Sequence, residues 1–174
     1  MSLQLAHKAH SNPQSKFPVV ILTYNLMGDA NIGSIFRLAD AFNIEKIVFC
    51  GTPFNPENNR LKRTARSTLK NVAFEFQENA REVVEKFKKL KYAVFALEIT
   101  SDSQILGSIN FEDESKIVLI IGNERNGIDD SLLEIADKKV HIEMFGKNSS
   151  MNVAQATGIA LYEITKTLPR FQKK

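Results

Sequence analysis

The sequence predicts an α/β fold, a parallel sheet covered by helices on both faces. Three observations carry that expectation. Short apolar runs rich in branched residues, the clearest being IVLII at 117–121, have the length and composition of strands buried on both sides. Between them lie segments whose apolar residues return at helical spacing, so strands and helices alternate along the chain. Polar turns of Gly, Asn and Ser follow two of the runs, where open α/β sheets place their ligand crevices. With 174 residues and no Gly/Ser/Pro-rich linker, one domain is expected over 1–174, with 1–16 an N-terminal extension and 169–174 a tail.

Taken in order, the residues up to Lys16 mix charge, Asn and Pro without a sustained period, and suggest only a short helix around 3–9. After Pro18, the run 19–22 predicts the first central strand. A turn over 25–30 follows, and then Ile32, Ile35, Phe36, Ala39 and Phe42 recur at helical spacing, with Asp29 or Asn31 available as the cap. Asn43 closes that helix, 46–50 makes the next strand, and Gly51-Thr52-Pro53 a loop. Residues 59–70 contain Arg60, Lys62, Arg63, Arg66 and Lys70 and no acid, which suits either a solvated face or a phosphate-contacting stripe. A strand at 72–76 precedes a helix at 79–90 with Val83, Val84, Phe87 and Leu90 facing in, and a strand at 92–97. A loop with Ser101, Asp102 and Ser103 and a turn near Gly107 lead to the strand at 117–121 and its polar turn, 122–127. A short strand at 139–142 enters a second polar loop ending at Ser150-Met151-Asn152. Val153, Ala156, Thr157, Ala160, Leu161 and Ile164 then mark a last helix to about 167.

Composition removes several classes of function. No apolar run approaches the ~20 residues of a membrane span, and the N-terminus has no apolar stretch with a small-residue cleavage site, so neither signal peptide nor anchor is expected. The single Cys50 rules out an internal disulfide. With His7, His10 and His141 it shows no ligand spacing, so no metal site is expected. The cytoplasm fits this cysteine usage. No G-x-G-x-x-G or G-x-x-x-x-G-K-[ST] cradle is present. The net charge of +3 permits nucleic-acid binding without demonstrating it.

Three segments, Asn31-Ile32-Gly33-Ser34-Ile35-Phe36-Arg37, Ile121-Gly122-Asn123-Glu124-Arg125-Asn126-Gly127, and Gly146 through Ser150-Met151-Asn152-Val153, match in order and separation the patterns N-x-G-x-x-x-R, G-x-E-x-x-G and G-x-x-x-S-L-N-V. Together they resemble the SpoU/TrmH family of RNA ribose 2′-O-methyltransferases, a branch of the SPOUT superfamily, over about 17–168. Met151 stands where that family usually has Leu, a volume-conserving change. Glu143 stands where it often has Pro.

The resemblance implies a C-terminal deep trefoil knot, S-adenosylmethionine as cofactor, tRNA or rRNA as substrate and a homodimer as the working unit. It places the cofactor against Leu97, Gly122, Ile142 and Met151, and assigns the chemistry to Arg37 with Asn31, Glu124, Ser150 and Asn152 in support. Arg37 would stand beside the reacting hydroxyl. A guanidinium is by itself a poor general base, so two roles stay open for it: proton acceptor organised by an RNA phosphate, or electrostatic stabiliser of the developing alkoxide. Blander readings accompany the others. Asn31, Ser150 and Asn152 suit helix caps, Glu124 a solvated turn, His141 a packed strand and Cys50 the core. Arg60, Lys62, Arg63 and Arg66 are the expected RNA contacts. A non-catalytic RNA-binding module on the same fold is the alternative.

Overall fold

The computed structural model describes residues 15–170. The chain runs β1 (Phe17–Tyr24), α1 (Asp29–Ala41), β2 (Ile44–Cys50), α2 (Asn59–Ala65), α3 (Thr68–Asn71), β3 (Phe74–Gln77), α4 (Ala80–Lys89), β4 (Ala93–Leu97), β5 (Gln104–Ile105), β6 (Ile117–Ile121), α5 (Asp130–Leu133), β7 (Lys138–His141) and α6 (Val153–Thr167). The strands form one seven-stranded sheet in the order β3-β2-β1-β6-β4-β7-β5, and every pairing is parallel.

Because side chains alternate across a strand, each central strand supplies two cores. Val19 and Ile21 of β1, Ile117, Leu119 and Ile121 of β6 and Phe95 of β4 face α1, α2 and α6. Val20 and Leu22, Val118 and Ile120, and Val94 and Ala96 face α4 and α5. All five residues of β6 are buried, as a strand between two helical layers requires. The α/β architecture with both faces covered is therefore as expected.

Local differences have physical causes. The cap of α1 is Gly28, at φ 81, with no side-chain cap bond, so neither Asp29 nor Asn31 caps that helix. Leu90 is 51% exposed and does not face in; it follows the last turn of α4 at Lys89, where the helical period no longer holds it over the sheet. β3 starts two residues later than expected. The elements β5 and α5 have no counterpart in the sequence pattern; at two and four residues each is too short to show a period. The C-terminal tail is docked at its start, with the Arg170 guanidinium 4.5 Å from the Phe17 ring centroid. The helix suggested around 3–9 lies outside the described residues.

Candidate active site

Since β6, β4 and β7 are adjacent and parallel, their carboxyl ends lie on one edge of the sheet and the loops after them converge. Between these loops is a cavity of about 350 Å³, within the size range of small-ligand sites. Leu97, Gly122, Ile142 and Met151, the four residues expected to hold a cofactor, all line it. So do Glu124, Ser150 and Asn152. Arg37 and Asn31 are not in its wall.

The loop after β6 is held by its own backbone and by Asn123. The Asn123 N–H donates to the Gly127 carbonyl at 3.0 Å and the Gly127 N–H to the Asn123 carbonyl at 2.9 Å. The Asn123 side chain accepts from the Arg125 and Asn126 N–H groups and donates to the Asn25 carbonyl at 2.7 Å. A Cβ on Gly122 would lie 2.3 Å from the Gly127 carbonyl carbon. The glycine is thus demanded by the loop folding back on itself.

Glu98, to which no motif points, joins two of the converging loops. Its carboxylate accepts from the Ile128 N–H at 3.0 Å and the Ile99 N–H at 3.0 Å, and it lines the cavity. It ties the chain after β4 to the chain after β6. The one sequence signal is its position directly after Leu97 at a strand's carboxyl end.

The three motif segments meet through Asn31. Its Nδ2 donates to Glu124 Oε1 at 2.7 Å, and its Oδ1 accepts from Asn152 Nδ2 at 2.9 Å. The other Glu124 oxygen accepts from the Met27 N–H at 3.3 Å. Asn152 is also the N-cap of α6, its Oδ1 accepting from the Ala154 and Gln155 N–H groups. The cap reading of Asn152 and a site position therefore hold together. Both ends of the Asn31 side-chain amide are committed to the neighbouring motifs, and neither bonds to Arg37. Ser150 is exposed on the cavity's rim and caps nothing.

Arg37 is exposed on α1 and, among the described residues, has no hydrogen-bond or ion-pair partner. Its direction is set by Phe36, which is fully buried and stacked on Phe49 at 5.6 Å; the next residue of a helix turned that way projects outward. One turn before Arg37, Gly33 abuts α2, where an added Cβ would lie 2.7 Å from Thr64 Cβ. Arg60, Lys62, Arg63 and Arg66 are all exposed on and just beyond α2. Lys62 is paired with Glu57, so the cations of this set left without a partner among the described residues are Arg60, Arg63 and Arg66.

Burial, with the Glu75 charge adding to it, pushes the Cys50 thiol up to about 12, which fits core and not nucleophile. The Tyr24 hydroxyl is raised by burial and by Asp129, 3.5 Å away. His141 is half-buried, with Nδ1 2.9 Å from Ser103 Oγ. Among the described residues no cluster of His, Cys, Asp or Glu could hold a metal ion.

The family model described as the SpoU rRNA Methylase family matches residues 18–162. A tRNA (guanosine(18)-2′-O)-methyltransferase of Aquifex aeolicus is 30% identical over 148 residues, covering 83% of this chain and 67% of the relative. A 23S rRNA (guanosine(2553)-2′-O)-methyltransferase of Bacillus subtilis is 24% identical, covering 92% of this chain and 64% of its own. Among solved structures, the TrmH/SpoU tRNA modifying enzyme of A. aeolicus aligns with a TM-score of 0.79 at 25% identity, covering 88% of this chain and 77% of that one. An AdoMet-bound rRNA methyltransferase from Sinorhizobium meliloti aligns with a TM-score of 0.80 at 25% identity, covering 91% and 59%. The chain spans about two thirds of the length of these two curated relatives.

Proposed function

The chain belongs to the SpoU rRNA Methylase family, and we propose that it is an S-adenosylmethionine-dependent methyltransferase acting on a ribose 2′-hydroxyl of tRNA or rRNA. One observation carries this reading. Asn31, Glu124 and Asn152, from three motifs far apart in sequence, are joined by hydrogen bonds at the rim of a cavity lined by Leu97, Gly122, Ile142 and Met151.

The lining fits the cofactor. Leu97, Ile142 and Met151 offer an apolar slot for adenine, backbone at Gly122 offers polar groups, and the carboxylates of Glu98 and Glu124 favour a cation. S-adenosylmethionine supplies an already activated methyl group, so the chain's own residues have to position the ribose, assist loss of its proton and exclude water. Asn31 and Glu124 brace the start of α1, and Arg37 on that helix serves the reacting oxygen. Ser150 and Asn152 support it or bind the RNA backbone. Arg60, Arg63 and Arg66, with Lys62 beside them, contact phosphates.

The working unit is a homodimer in which Arg37 of one copy serves the cavity of the other. Its support is that Arg37 is absent from its own chain's cavity wall, while α6, packed on α1, exposes Tyr162 and Ile159. We read 1–174 as one methyltransferase domain, with the stretch from β7 into α6 forming the deep trefoil knot. The likeness to the TrmH/SpoU structure supports the knot. Cytoplasmic placement follows from the proposed RNA substrates; no helix among the described residues is long and apolar enough to cross a membrane.

Calorimetry with S-adenosylmethionine, followed by transfer of labelled methyl to bulk tRNA and rRNA, tests the reading. Binding and formation of alkali-resistant nucleotide linkages are expected. A folded protein with no cofactor affinity would return the chain to a non-catalytic RNA-binding module.

A further inference from the structure

Phe145 is 91% exposed, far more than any other large hydrophobic among the described residues, of which the next is Tyr162 at 59%. It stands in the loop between β7 and α6, directly after Met144, which lines the cavity, while Phe145 itself does not. The loop tip is bare, since even a Cβ built on the neighbouring Gly146 would meet nothing within 4 Å. The residues that follow, Lys147, Asn148, Ser149 and Ser150, are exposed and polar or cationic. An aromatic ring displayed alone beside a cation and hydroxyls is unlike the centre of a protein interface, which is depleted in charge. It has the chemistry of a nucleic-acid stacking platform, on which any base can lie and whose phosphates a lysine can meet.

On the strength of the proposed RNA methylation, we propose that Phe145 stacks on a base next to the methylated ribose, holding the strand open at the cavity's mouth. A nucleotide splayed out of the regular stack presents its ribose most fully to a recessed cavity, and the ring replaces part of the lost stacking. Phe145 thereby acts as a positioning residue for the substrate, apart from the residues that hold cofactor.

The chain has no tryptophan, so Phe145→Trp introduces a single indole and a direct reporter. Titration of that variant with single-stranded RNA, in the presence of S-adenosylhomocysteine, should quench its fluorescence over the concentrations at which labelled RNA binds by anisotropy. Phe145→Ala and Phe145→Leu should each weaken RNA binding by between about 5-fold and 150-fold. Phe145→Tyr should restore it. Cofactor affinity and sedimentation should stay unchanged in every variant. RNA binding by Phe145→Ala within twofold of the parent, or RNA bound without quenching, would overturn the stacking role and leave the methyltransferase reading intact. A sedimentation shift in Phe145→Ala would assign the ring to a contact between copies and overturn it likewise. A parent protein that binds cofactor but no RNA would overturn both readings.

Discussion

At the scale of single residues, the roles proposed for Arg37 and Glu98 are separable by mutation. The Arg37 guanidinium is exposed and has no hydrogen-bond or ion-pair partner among the described residues, so Arg37→Ala should leave the thermal midpoint nearly unchanged. It should abolish RNA methylation while cofactor affinity, measured by calorimetry, stays within about tenfold. Methylation at the parent rate would refute the role given to it. Glu98 acts through the loop backbone it holds. Glu98→Ala leaves the Ile128 N–H without its acceptor, at a cost of about 1–3 kcal/mol. Cofactor affinity should therefore fall about tenfold or more, with partial recovery in Glu98→Gln, whose amide oxygen can accept one of the two bonds.

At the scale of elements, the packing of α1 on α2 decides where the basic segment is displayed. It passes through Gly33, against which Thr64 and Ala65 are packed too closely for any side chain. Gly33→Ala should cost about 1–3 kcal/mol by overpacking, read as a lowered urea midpoint. The glycine of the first motif thus serves helix packing, and through packing it sets α2 beside the helix that carries Arg37. Arg63 and Arg66 project from that docked element with no partner among the described residues. Arg63→Ala combined with Arg66→Ala should weaken RNA binding and reduce the slope of log affinity against log salt by about 2, one for each phosphate no longer neutralised. An unchanged slope would return both residues to a solvated face. Lys62, already paired with Glu57, should contribute less than either arginine.

At the scale of the whole molecule, buried protons couple the fold to pH. Cys50 is raised by burial from its ordinary value of 9.0 to about 12, and Tyr92 is raised by burial and by its bond to Glu45 at 2.7 Å. The folded state holds these protons and the unfolded chain releases them sooner. Their stabilising contribution is fully present below the unfolded values and declines as pH rises through the window above 9.0 toward about 12. Urea midpoints should accordingly fall across that window, and Cys50→Ala should make the fall shallower. In the native protein near neutral pH, Cys50 should resist thiol reagents until unfolding exposes it.

The alternation of apolar runs and helical periods was enough to determine the class of fold, because a strand buried on both faces and a helix buried on one carry their burial in local sequence. The three motifs were legible for the same kind of reason: spacing along the chain marks the residue types at the end of β6 and the starts of α1 and α6. What tertiary structure alone decided is their meeting. The hydrogen bonds that Asn31 donates to Glu124 and accepts from Asn152 span 93 and 121 residues, the Glu98 latch depends on β4 lying beside β6, and Gly33 depends on a helix that begins at Asn59. Local periodicity reports which face of an element is buried; it does not report which element buries it. That choice rests on strand order and on contacts between distant segments, and it joins the first sequence pattern, through Asn31, to two residues that line the cavity built by the other two.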